Sequence, residues 1–276
     1  MEVIENQLRK IIGKQRESSS VGLLYSGGLD SSIIAKIMVS LFEPSSIALV
    51  SVGLSGSYDL KKSILGSAEL GLNLYKYYLT KKRVIEAIQS LKQLNIIFNP
   101  VSLSIAIPIF LGMQKLADDF DVKTIFLGQG ADELFGGYQR YVMLYKNKGL
   151  EETKKTMIND LRHLQKVQII RERKIAHHFN LDLVYPFLDS EIIKRAENYP
   201  VTTHIVQTRQ GEFIRKALLR KLARKLGLSE EITEQPKKAI QYGSGTMKLL
   251  RMIAKSNNYK NISEWFQIYF KSDDIS

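Results

Sequence analysis

The sequence predicts an α/β fold in which a doubly wound, mostly parallel sheet is followed by a helical C-terminal lobe. Over the first half of the 276 residues, short apolar runs alternate with stretches of helical periodicity. Strands joined by crossover helices pair in parallel and bury both faces of their sheet. After residue 131 the pattern becomes almost entirely helical, and no Pro/Gly-rich linker separates the two parts. We therefore expect one continuous structural unit.

The predicted elements follow one another in a regular order after an amphipathic N-terminal helix, which occupies about residues 1–20. Short apolar runs bounded by turn residues predict strands at 21–25, 47–53, 73–79 and 122–128. Helical spacing of apolar residues predicts intervening helices at 30–42, 59–70, 83–94 and 104–116. The same spacing predicts later helices at 151–178, 190–198, 211–226 and 247–254. The single domain 1–276 is thus divided into the N-terminal helix, an α/β core at 21–140 and a helical lobe at 141–276.

The composition limits the classes of function that the chain can have. It contains no cysteine, which excludes disulfides, iron–sulfur clusters, cysteine-ligated zinc and thiol nucleophiles. No apolar stretch reaches the ~18 residues expected of a membrane span. The run at 107–111 contains Pro108, and the run at 31–42 contains Lys36. We therefore predict a cytoplasmic protein with no membrane partner.

The chain is strongly basic, with 40 Lys and Arg residues against 28 Asp and Glu residues and a net charge of +12. Such a balance suits polyanionic partners, for example a nucleoside triphosphate, pyrophosphate or RNA. A lysine-rich solvated surface explains the same excess equally well. The basic residues are not interleaved with aromatic residues, as they would be in a groove for single-stranded nucleic acid.

The run Ser-Gly-Gly-Leu-Asp-Ser-Ser at 26–32 lies between the first predicted strand and the following helix. Two adjacent glycines let the backbone turn sharply and approach a ligand. The unpaired N–H groups at the start of the helix favour a phosphate there. The three serines add hydroxyl donors, and Asp30 can hold a magnesium ion that bridges to phosphate oxygens. A glycine turn with a helix cap at Asp30 is the purely structural alternative.

A second run, Gly-Gln-Gly-Ala-Asp-Glu-Leu-Phe-Gly-Gly-Tyr at 128–138, follows the predicted strand at 122–128. Ligands of open α/β sheets bind at the carboxyl ends of the strands, at the switch point of the topology. This position would bring Asp132 close to Asp30, so that the two carboxylates can hold magnesium along a triphosphate. Taken alone, Asp132 and Glu133 could simply cap a helix.

These motifs resemble a known family. Residues 26–32 are similar to the pyrophosphate loop of the ATP-pyrophosphatase superfamily, and 128–138 resemble the second signature of asparagine synthetases. The segments 51–60, 185–189 and 235–245 are similar to further family segments in the same order. The resemblance covers residues 21–245 and corresponds to the synthetase domain, with no glutaminase domain. It implies a sheet of the adenine nucleotide alpha hydrolase-like type.

The resemblance implies an ATP-dependent ligase that uses Mg²⁺. In the family, a substrate carboxylate attacks the α-phosphorus of ATP, which gives an acyl-adenylate and pyrophosphate. An amine or ammonia then displaces AMP and forms a carbon–nitrogen bond. Conversion of aspartate to asparagine is the default reaction. ATP and a small carboxylate are the implied partners, and free ammonia or a separate glutaminase subunit would supply nitrogen.

The family motifs also imply roles for individual residues. The residues that would cradle the pyrophosphate are Ser26, Gly27, Gly28, Asp30, Ser31 and Ser32. Asp30 and Asp132 would bind Mg²⁺, and Asp132 would be a catalytic residue as well. Val52 and Gly128 would lie against the adenosine. Lys237 corresponds to the lysine that stabilises negative charge at the α-phosphate, although by itself it could be one of a surface basic pair.

Two residues depart from the family pattern. Gln129 stands where bacterial asparagine synthetases carry a glutamate and β-lactam-forming relatives carry a tyrosine. Glutamine can donate and accept hydrogen bonds but cannot take a proton at neutral pH, so the catalytic role at this position must differ. Tyr25 stands where a small apolar residue commonly precedes the loop, which predicts an altered adenine pocket.

Two other functions compete with the ligase. Adenylation of a tRNA base would explain the net charge, but such enzymes usually add an RNA-binding domain or sulfur-transfer cysteines, and we do not expect a nucleic-acid partner. A non-catalytic nucleotide-binding subunit is the second alternative, and the intact Asp30, Asp132 and Lys237 argue against it. A second copy of the chain remains a candidate partner, because the aromatic residues Trp265, Phe266, Tyr269 and Phe270 have helical spacing that suits either the core or a subunit contact.

Overall fold

A five-stranded parallel sheet forms the centre of the computed structural model, which describes residues 1–96, 99–236 and 238–271, with side chains up to residue 269. The strands are β1 (Val21–Leu24), β2 (Ile47–Gly53), β3 (Leu74–Tyr78), β4 (Thr124–Phe126) and β5 (Asp182–Val184). Their order across the sheet is β3-β2-β1-β4-β5, and every neighbouring pair is parallel. The predicted doubly wound parallel sheet is therefore confirmed.

Helices make up most of the remaining described chain. Those of the first half are α1 (Glu2–Gly13), α2 (Leu29–Val39), α3 (Tyr58–Leu70), α4 (Lys81–Gln93), α5 (Pro100–Asp119) and α6 (Ala131–Leu134). Those that follow are α7 (Gln139–His163), α8 (Ile169–His178), α9 (Ser190–Asn198), α10 (Val201–His204), α11 (Ala217–Lys225), α12 (Glu230–Thr233), α13 (Ile240–Gly243), α14 (Thr246–Ser256) and α15 (Ile262–Lys271). Two-residue strands β6 (Val206–Gln207) and β7 (Phe213–Ile214) form an antiparallel hairpin.

The sheet separates two hydrophobic cores, because successive side chains of a strand point to opposite faces. In β2, Leu49 packs in a core with residues of α1, α2, α9 and α11. Its neighbours Ala48 and Val50 pack in the other core, with residues of α4, α5, α8 and α14. All three side chains are buried. Burial on both faces explains why these strands read as continuous apolar runs in the sequence.

The strand order creates a switch point between β1 and β4. From β1 the chain proceeds outward through β2 to β3, whereas β4 lies on the other side of β1 and leads outward to β5. The loops that follow β1 and β4 therefore diverge at their carboxyl ends and leave a crevice between them. Both sequence motifs lie in these loops.

Two predicted helices differ from the structure, and one strand was not predicted. Residues 211–216 are not helical, because Gly211 (φ +83°) closes the β6–β7 hairpin and α11 begins only at Ala217. The predicted helix 151–178 is not one helix in the structure. It corresponds to the later part of α7, which is interrupted at Gly149 (φ +82°), a π-helical segment Leu164–Gln168, and α8. Strand β5 was not predicted, since it is short and only partly buried. It lies within the predicted helical lobe and completes the sheet; the domain division itself stays a prediction.

Helix α5 corrects the expectation of an interrupted apolar run. Pro108 lies inside this 20-residue helix and does not end it. Among the described residues it is the one helix that is long and apolar enough to cross a membrane, with a mean hydropathy of 1.4. However, 61% of that window is buried inside the protein, where α5 packs in the second core. Its apolar composition is accounted for by this packing against the sheet.

Candidate active site

A cleft of about 440 Å³ opens at the carboxyl ends of β1 and β4. The loops after these strands form its base, and α5, α7, α11 and the described residues around 235–241 contribute its walls. Its apolar lining comes from Leu24, Leu127, Ile105 and Ile109. The cleft therefore lies at the switch point, where the sequence motifs were expected to meet.

The loop after β1 is held tightly against the body of the protein. Gly27 has φ +68°, and a Cβ there would lie within 2.5 Å of the backbone of Lys62 and Ser63 in α3. Gly28 caps α2 in an extended conformation, and its N–H is 3.3 Å from Ser26 Oγ. The first-turn amides of this 11-residue helix thus begin at the cleft. Such an end favours a bound anion.

The structure does not bring every predicted loop residue into the cleft. Ser26, Gly28, Asp30 and Ser31 line it, whereas Gly27 packs on α3. Ser32 is fully buried, and its Oγ lies 3.0 Å from the hydroxyl of Tyr25.

Tyr25 points away from the cleft, contrary to the expectation that it alters the adenine pocket. Its ring belongs to the core with α1 and α2, and a Cβ at Gly66 would lie 2.1 Å from its hydroxyl. Burial raises the pKa of Tyr25 to about 12. Val52, which is half-buried, is likewise not a lining residue. It lies near Gly112 of α5, where an added Cβ would be 3.3 Å from Val52 Cγ2.

The loop after β4 places Asp132 beside the first motif. Gly128 lines the cleft, and a Cβ there would lie 3.3 Å from the Cβ of Asp30. Gly130 adopts φ +90° and starts the short helix α6, which carries Asp132. At the end of this turn the Gly137 N–H donates to the Asp132 carbonyl (2.8 Å). The two motifs, which are about a hundred residues apart in sequence, are thus in contact.

Both predicted metal-binding carboxylates contact one lysine from the C-terminal part of the chain. The Nζ of Lys216 lies 2.8 and 2.6 Å from the two carboxylate oxygens of Asp30 and 2.7 Å from Asp132 Oδ1. The carboxylates therefore converge on one position of cationic size, which fits a divalent ion. Among the described residues, no group of three or more His, Cys, Asp or Glu side chains could hold a metal alone. Two carboxylates suit Mg²⁺, which keeps waters and binds substrate phosphates.

Lys216 was not predicted as a site residue, because it falls within the predicted helix 211–226. In the structure it precedes α11 with a left-handed backbone (φ +52°, ψ +35°) and is 4% exposed. The preceding Arg215 donates from Nη1 to the Gly137 carbonyl (2.7 Å). The start of α11 is thereby attached to the second motif. A break in the helical pattern at Gly211 was the one feature that could have indicated a turn here.

Gln129 lines the cleft next to a buried carboxylate. Its Nε2 donates to Glu172 Oε1 (2.7 Å), and the Tyr185 hydroxyl donates to Glu172 Oε2 (3.0 Å). Glu172 is fully buried, and burial raises its pKa to about 7, although the neighbouring Arg171 and both hydrogen bonds act in the opposite direction. Sequence analysis missed Glu172, since it lies in the charged run Arg-Glu-Arg-Lys, which is typical of a solvated helix.

A second buried carboxylate borders the same part of the cleft. Glu133 is 4% exposed and accepts a hydrogen bond from the Tyr138 hydroxyl (2.7 Å). Burial, followed by the charge of Asp132, raises the pKa of Glu133. The part of the cleft around Gln129 therefore borders two buried carboxylates, Glu133 and Glu172, whose pKa values are raised.

Lys237, the predicted catalytic lysine, lies outside the described residues. The residues on both sides of it line the cleft and are anchored to its walls. Arg220 Nη2 donates to the Gln235 carbonyl (3.1 Å), and the Tyr58 hydroxyl donates to the Pro236 carbonyl (3.1 Å). The ammonium of Lys238 lies 4.1 Å from the centre of the Tyr58 ring.

A doubly wound sheet with an anion-binding helix end and paired carboxylates at its switch point defines a nucleotide-binding α/β protein. Comparison with known families makes this class specific. The model of the asparagine synthase family matches residues 4–153 and 145–265. The chain belongs to the asparagine synthase family.

Curated relatives agree with this membership. A protein of Methanocaldococcus jannaschii, provisionally assigned as a glutamine-hydrolysing asparagine synthetase, is 29% identical over 97% of this chain and 54% of its own length. A glutamine-hydrolysing asparagine synthetase of Brassica oleracea is 29% identical over 72% of this chain and 35% of its own length. The chain thus spans about half of the first relative and about a third of the second.

Solved structures with a similar arrangement are more distant. One is a predicted subunit of a tRNA methyltransferase from M. jannaschii, with 16% identity, a TM-score of 0.32 and coverage of 77% of this chain and 90% of that one. Another is the NH3-dependent NAD synthetase of Campylobacter jejuni, with 16% identity, a TM-score of 0.37 and coverage of 74% and 94%. Likenesses this weak carry no functional argument.

Proposed function

We propose that this protein is an ATP-dependent amide synthetase, which activates a small carboxylate as its acyl-adenylate and transfers it to ammonia. Aspartate is the default substrate and asparagine the default product. The observation that carries the proposal is the convergence of Asp30 and Asp132 beside the start of α2, in a member of the asparagine synthase family. We expect it to act in the cytoplasm, either alone or as a pair of identical chains.

The first half-reaction forms the acyl-adenylate. A carboxylate oxygen attacks the α-phosphorus, the bond to the oxygen that bridges to the β-phosphorus breaks, and pyrophosphate leaves with that electron pair. The amides at the start of α2, with the Ser26 and Ser31 hydroxyls, would hold the pyrophosphate. Lys237, by its family position, would offset charge at the α-phosphate. Mg²⁺, when bound by Asp30 and Asp132, would neutralise phosphate oxygens.

The base and ribose of ATP would occupy the apolar side of the cleft. Leu24 ends β1, Leu127 directly follows β4, and Ile105 and Ile109 line the cleft from α5. Such a slot suits the flat adenine ring. Gly128 would lie beside the sugar, and a side chain at this position would meet Asp30. The contact between Val52 and adenosine stays a prediction, since Val52 is not a lining residue.

The second half-reaction forms the amide. Ammonia attacks the acyl carbon, the bond from that carbon to the AMP oxygen breaks, and AMP leaves. Because Gln129 donates Nε2 to Glu172, its Oε1 is free to accept a hydrogen bond from the attacking nitrogen. Gln129 would then orient ammonia, and the released proton would pass to the departing phosphate or to solvent.

The aspartate hypothesis is supported by a charged pair in the cleft wall. Arg140 Nη2 lies 2.8 Å from Asp160 Oδ2, which also accepts a hydrogen bond from the Tyr141 hydroxyl (2.6 Å). Arg140 and Asp160 both line the cleft. A guanidinium next to a carboxylate is complementary to the carboxylate and ammonium of an amino acid.

The composition supports a proposal for the nitrogen source. The 276 residues contain no cysteine, so they cannot provide the thiol nucleophile of a glutamine-hydrolysing site. The relatives in M. jannaschii and B. oleracea are named glutamine-hydrolysing and are longer than this chain. We propose that the reaction of these residues uses ammonia that is made outside them, either free ammonia or ammonia from a glutaminase site.

Exchange of radiolabelled pyrophosphate into ATP tests the proposal. The assay contains Mg²⁺ and a panel of small carboxylates, beginning with aspartate, and compares the wild type with Asp132→Ala. Asp118→Ala, at an exposed carboxylate at the end of α5, is the matched control. We expect aspartate-dependent exchange that Asp132→Ala abolishes and Asp118→Ala retains. Exchange with another carboxylate alone would change the substrate, and exchange with none would refute the ligase and favour tRNA adenylation.

A further inference from the structure

We propose that Lys216 acts as an internal substitute for the metal ion, which keeps the paired carboxylates closed to free divalent cations until a nucleotide arrives. In this arrangement the phosphates take over the Lys216 ammonium, and the carboxylates become available to the cation that accompanies the nucleotide. Metal and nucleotide therefore bind together rather than independently. The inference rests on the proposed nucleotide site and adds an order of events to it.

The ammonium of Lys216 donates hydrogen bonds to both carboxylate oxygens of Asp30 and forms an ion pair with Asp132. An ammonium has three N–H donors. Nζ lies within 2.8 Å of three carboxylate oxygens, two from Asp30 and one from Asp132. All three side chains are largely buried, with exposures of 6% for Lys216, 13% for Asp30 and 11% for Asp132. A cation of similar size could bind here only by displacing the ammonium.

The surrounding backbone is shaped to hold the lysine in this place. Lys216 adopts a left-handed conformation, which residues with a side chain rarely adopt and which tends to mark functional positions. Gly137 leaves the necessary space, since a Cβ there would lie 2.4 Å from Lys216 Cε and 1.9 Å from Asp132 Oδ1. The ammonium is therefore a built component of the site and not a surface lysine that folds onto it.

Charge balance explains why a nucleotide would release the lysine. Without nucleotide, a divalent ion would have to drive a buried ammonium from the two carboxylates that it contacts, and the two cations would repel each other. A triphosphate at the start of α2 provides new oxygen acceptors next to Asp30. The ammonium can then move to the phosphate and the cation can take its place, so each ligand favours binding of the other.

Binding of Mn²⁺, detected by electron paramagnetic resonance, tests this exchange. Without nucleotide, we expect Lys216→Met to bind Mn²⁺ roughly tenfold or more tightly than the wild type. Adding the non-hydrolysable α,β-methylene analogue of ATP should raise the affinity of the wild type for Mn²⁺ by about tenfold or more. Lys221→Met, at an exposed lysine of α11, should behave like the wild type. The double variant Asp30→Asn, Lys216→Met should lose the gained Mn²⁺ site.

The proposal is overturned if the wild type binds Mn²⁺ without nucleotide as tightly as Lys216→Met does. A reciprocal measurement on the wild type needs no variant: Mn²⁺ must raise the affinity for the analogue by the same factor. Independent binding of the two ligands would refute the exchange even if Lys216→Met failed to fold. Failure of the analogue to bind at all would refute the proposed nucleotide site instead, while the nucleotide-free Mn²⁺ comparison would still decide the role of Lys216.

Discussion

Two parts of the cleft hold buried carboxylates in opposite ways. We call the part around Asp30 and Asp132 the phosphate end and the part around Gln129 and Glu172 the other end. At the phosphate end, Asp30 and Asp132 share the ammonium of Lys216. At the other end, the completely enclosed Glu172 receives hydrogen bonds from two uncharged side chains among the described residues, Gln129 and Tyr185. One end thus pairs carboxylates with a full positive charge, and the other surrounds a carboxylate with neutral donors.

This difference suggests two separate uses of the same chemical group. Carboxylates that already share a cation are prepared for cation exchange, which suits the binding of a metal–nucleotide complex. A carboxylate whose pKa is raised to about 7 by burial changes its protonation when its surroundings change slightly. The first arrangement fixes charge where phosphates would bind. The second fixes the orientation of Gln129, where the nitrogen would attack.

The largest effect is expected at Gly137, because a side chain there would meet both Asp132 and Lys216. In Gly137→Ala the new Cβ would lie 1.9 Å from Asp132 Oδ1, so the Asp132 carboxylate or Lys216 must move. We expect pyrophosphate exchange to fall by roughly a hundredfold or more, as for loss of a preorganised electrostatic group. Gly13→Ala, where the nearest atom to the new Cβ is 3.9 Å away, is the control. A near-normal rate for Gly137→Ala would break the proposed link between this geometry and adenylation.

An intermediate effect, confined to the second half-reaction, is expected for Glu172→Gln. The new amide can donate to Gln129 Oε1, so Gln129 would present its N–H₂ group to the cleft for part of the time. We expect kcat/KM for ammonia to fall by roughly tenfold, with pyrophosphate exchange unchanged. Tyr185→Phe keeps the bond between Gln129 and Glu172 and should have a smaller effect. Equal losses in both half-reactions would show that the two ends are not separate.

The smallest effect concerns stability and pH. Burial raises the pKa of Glu172 to about 7 in the folded protein, from an ordinary value of 4.5. The folded state therefore retains a proton that the unfolded state has lost, and stability decreases as pH rises through this window. Between pH 5 and 7 we expect the free energy of unfolding to fall by on the order of 2 kcal/mol more in the wild type than in Glu172→Gln. Urea unfolding at both pH values measures this difference.

Other ionisable groups near Glu172 also affect how stability depends on pH. Arg171, Glu133 and Tyr185 all influence Glu172, and they are present in both proteins, so their own titration largely cancels. Burial is the main cause of the raised pKa and would be lost on unfolding. An identical pH dependence in the wild type and Glu172→Gln would mean that Glu172 titrates in the same range whether the chain is folded or not.

The parts of the fold that the sequence predicted are those with local signals. Strands β1 and β2 read as buried apolar runs, and the glycine motifs mark the loops that follow β1 and β4. Their meeting at the switch point follows from strand order. Ser32 shows the limit of a local signal, because the motif does not reveal that its hydroxyl faces Tyr25 in the core.

Contacts between distant segments could not be predicted in this way. Lys216 is 186 residues from Asp30, and Glu172 is 43 residues from Gln129. Nothing in a basic run or in a charged helix indicates which single side chain turns inward. Burial of such groups depends on how the helical part packs on the sheet, and a periodic pattern reports only which face of a helix is apolar.

The contact between Asp30 and Lys216 also bears on how the protein folds. Closing a loop of 186 residues is entropically costly and slow compared with forming neighbouring turns. The phosphate end can therefore assemble only after α11 has docked on the rest of the protein. A chain released or cleaved before that step could contain a well-formed sheet and still be unable to bind nucleotide. Nucleotide binding would in that case report completion of the whole fold, and ligands of this cleft would act as pharmacological chaperones for destabilised variants.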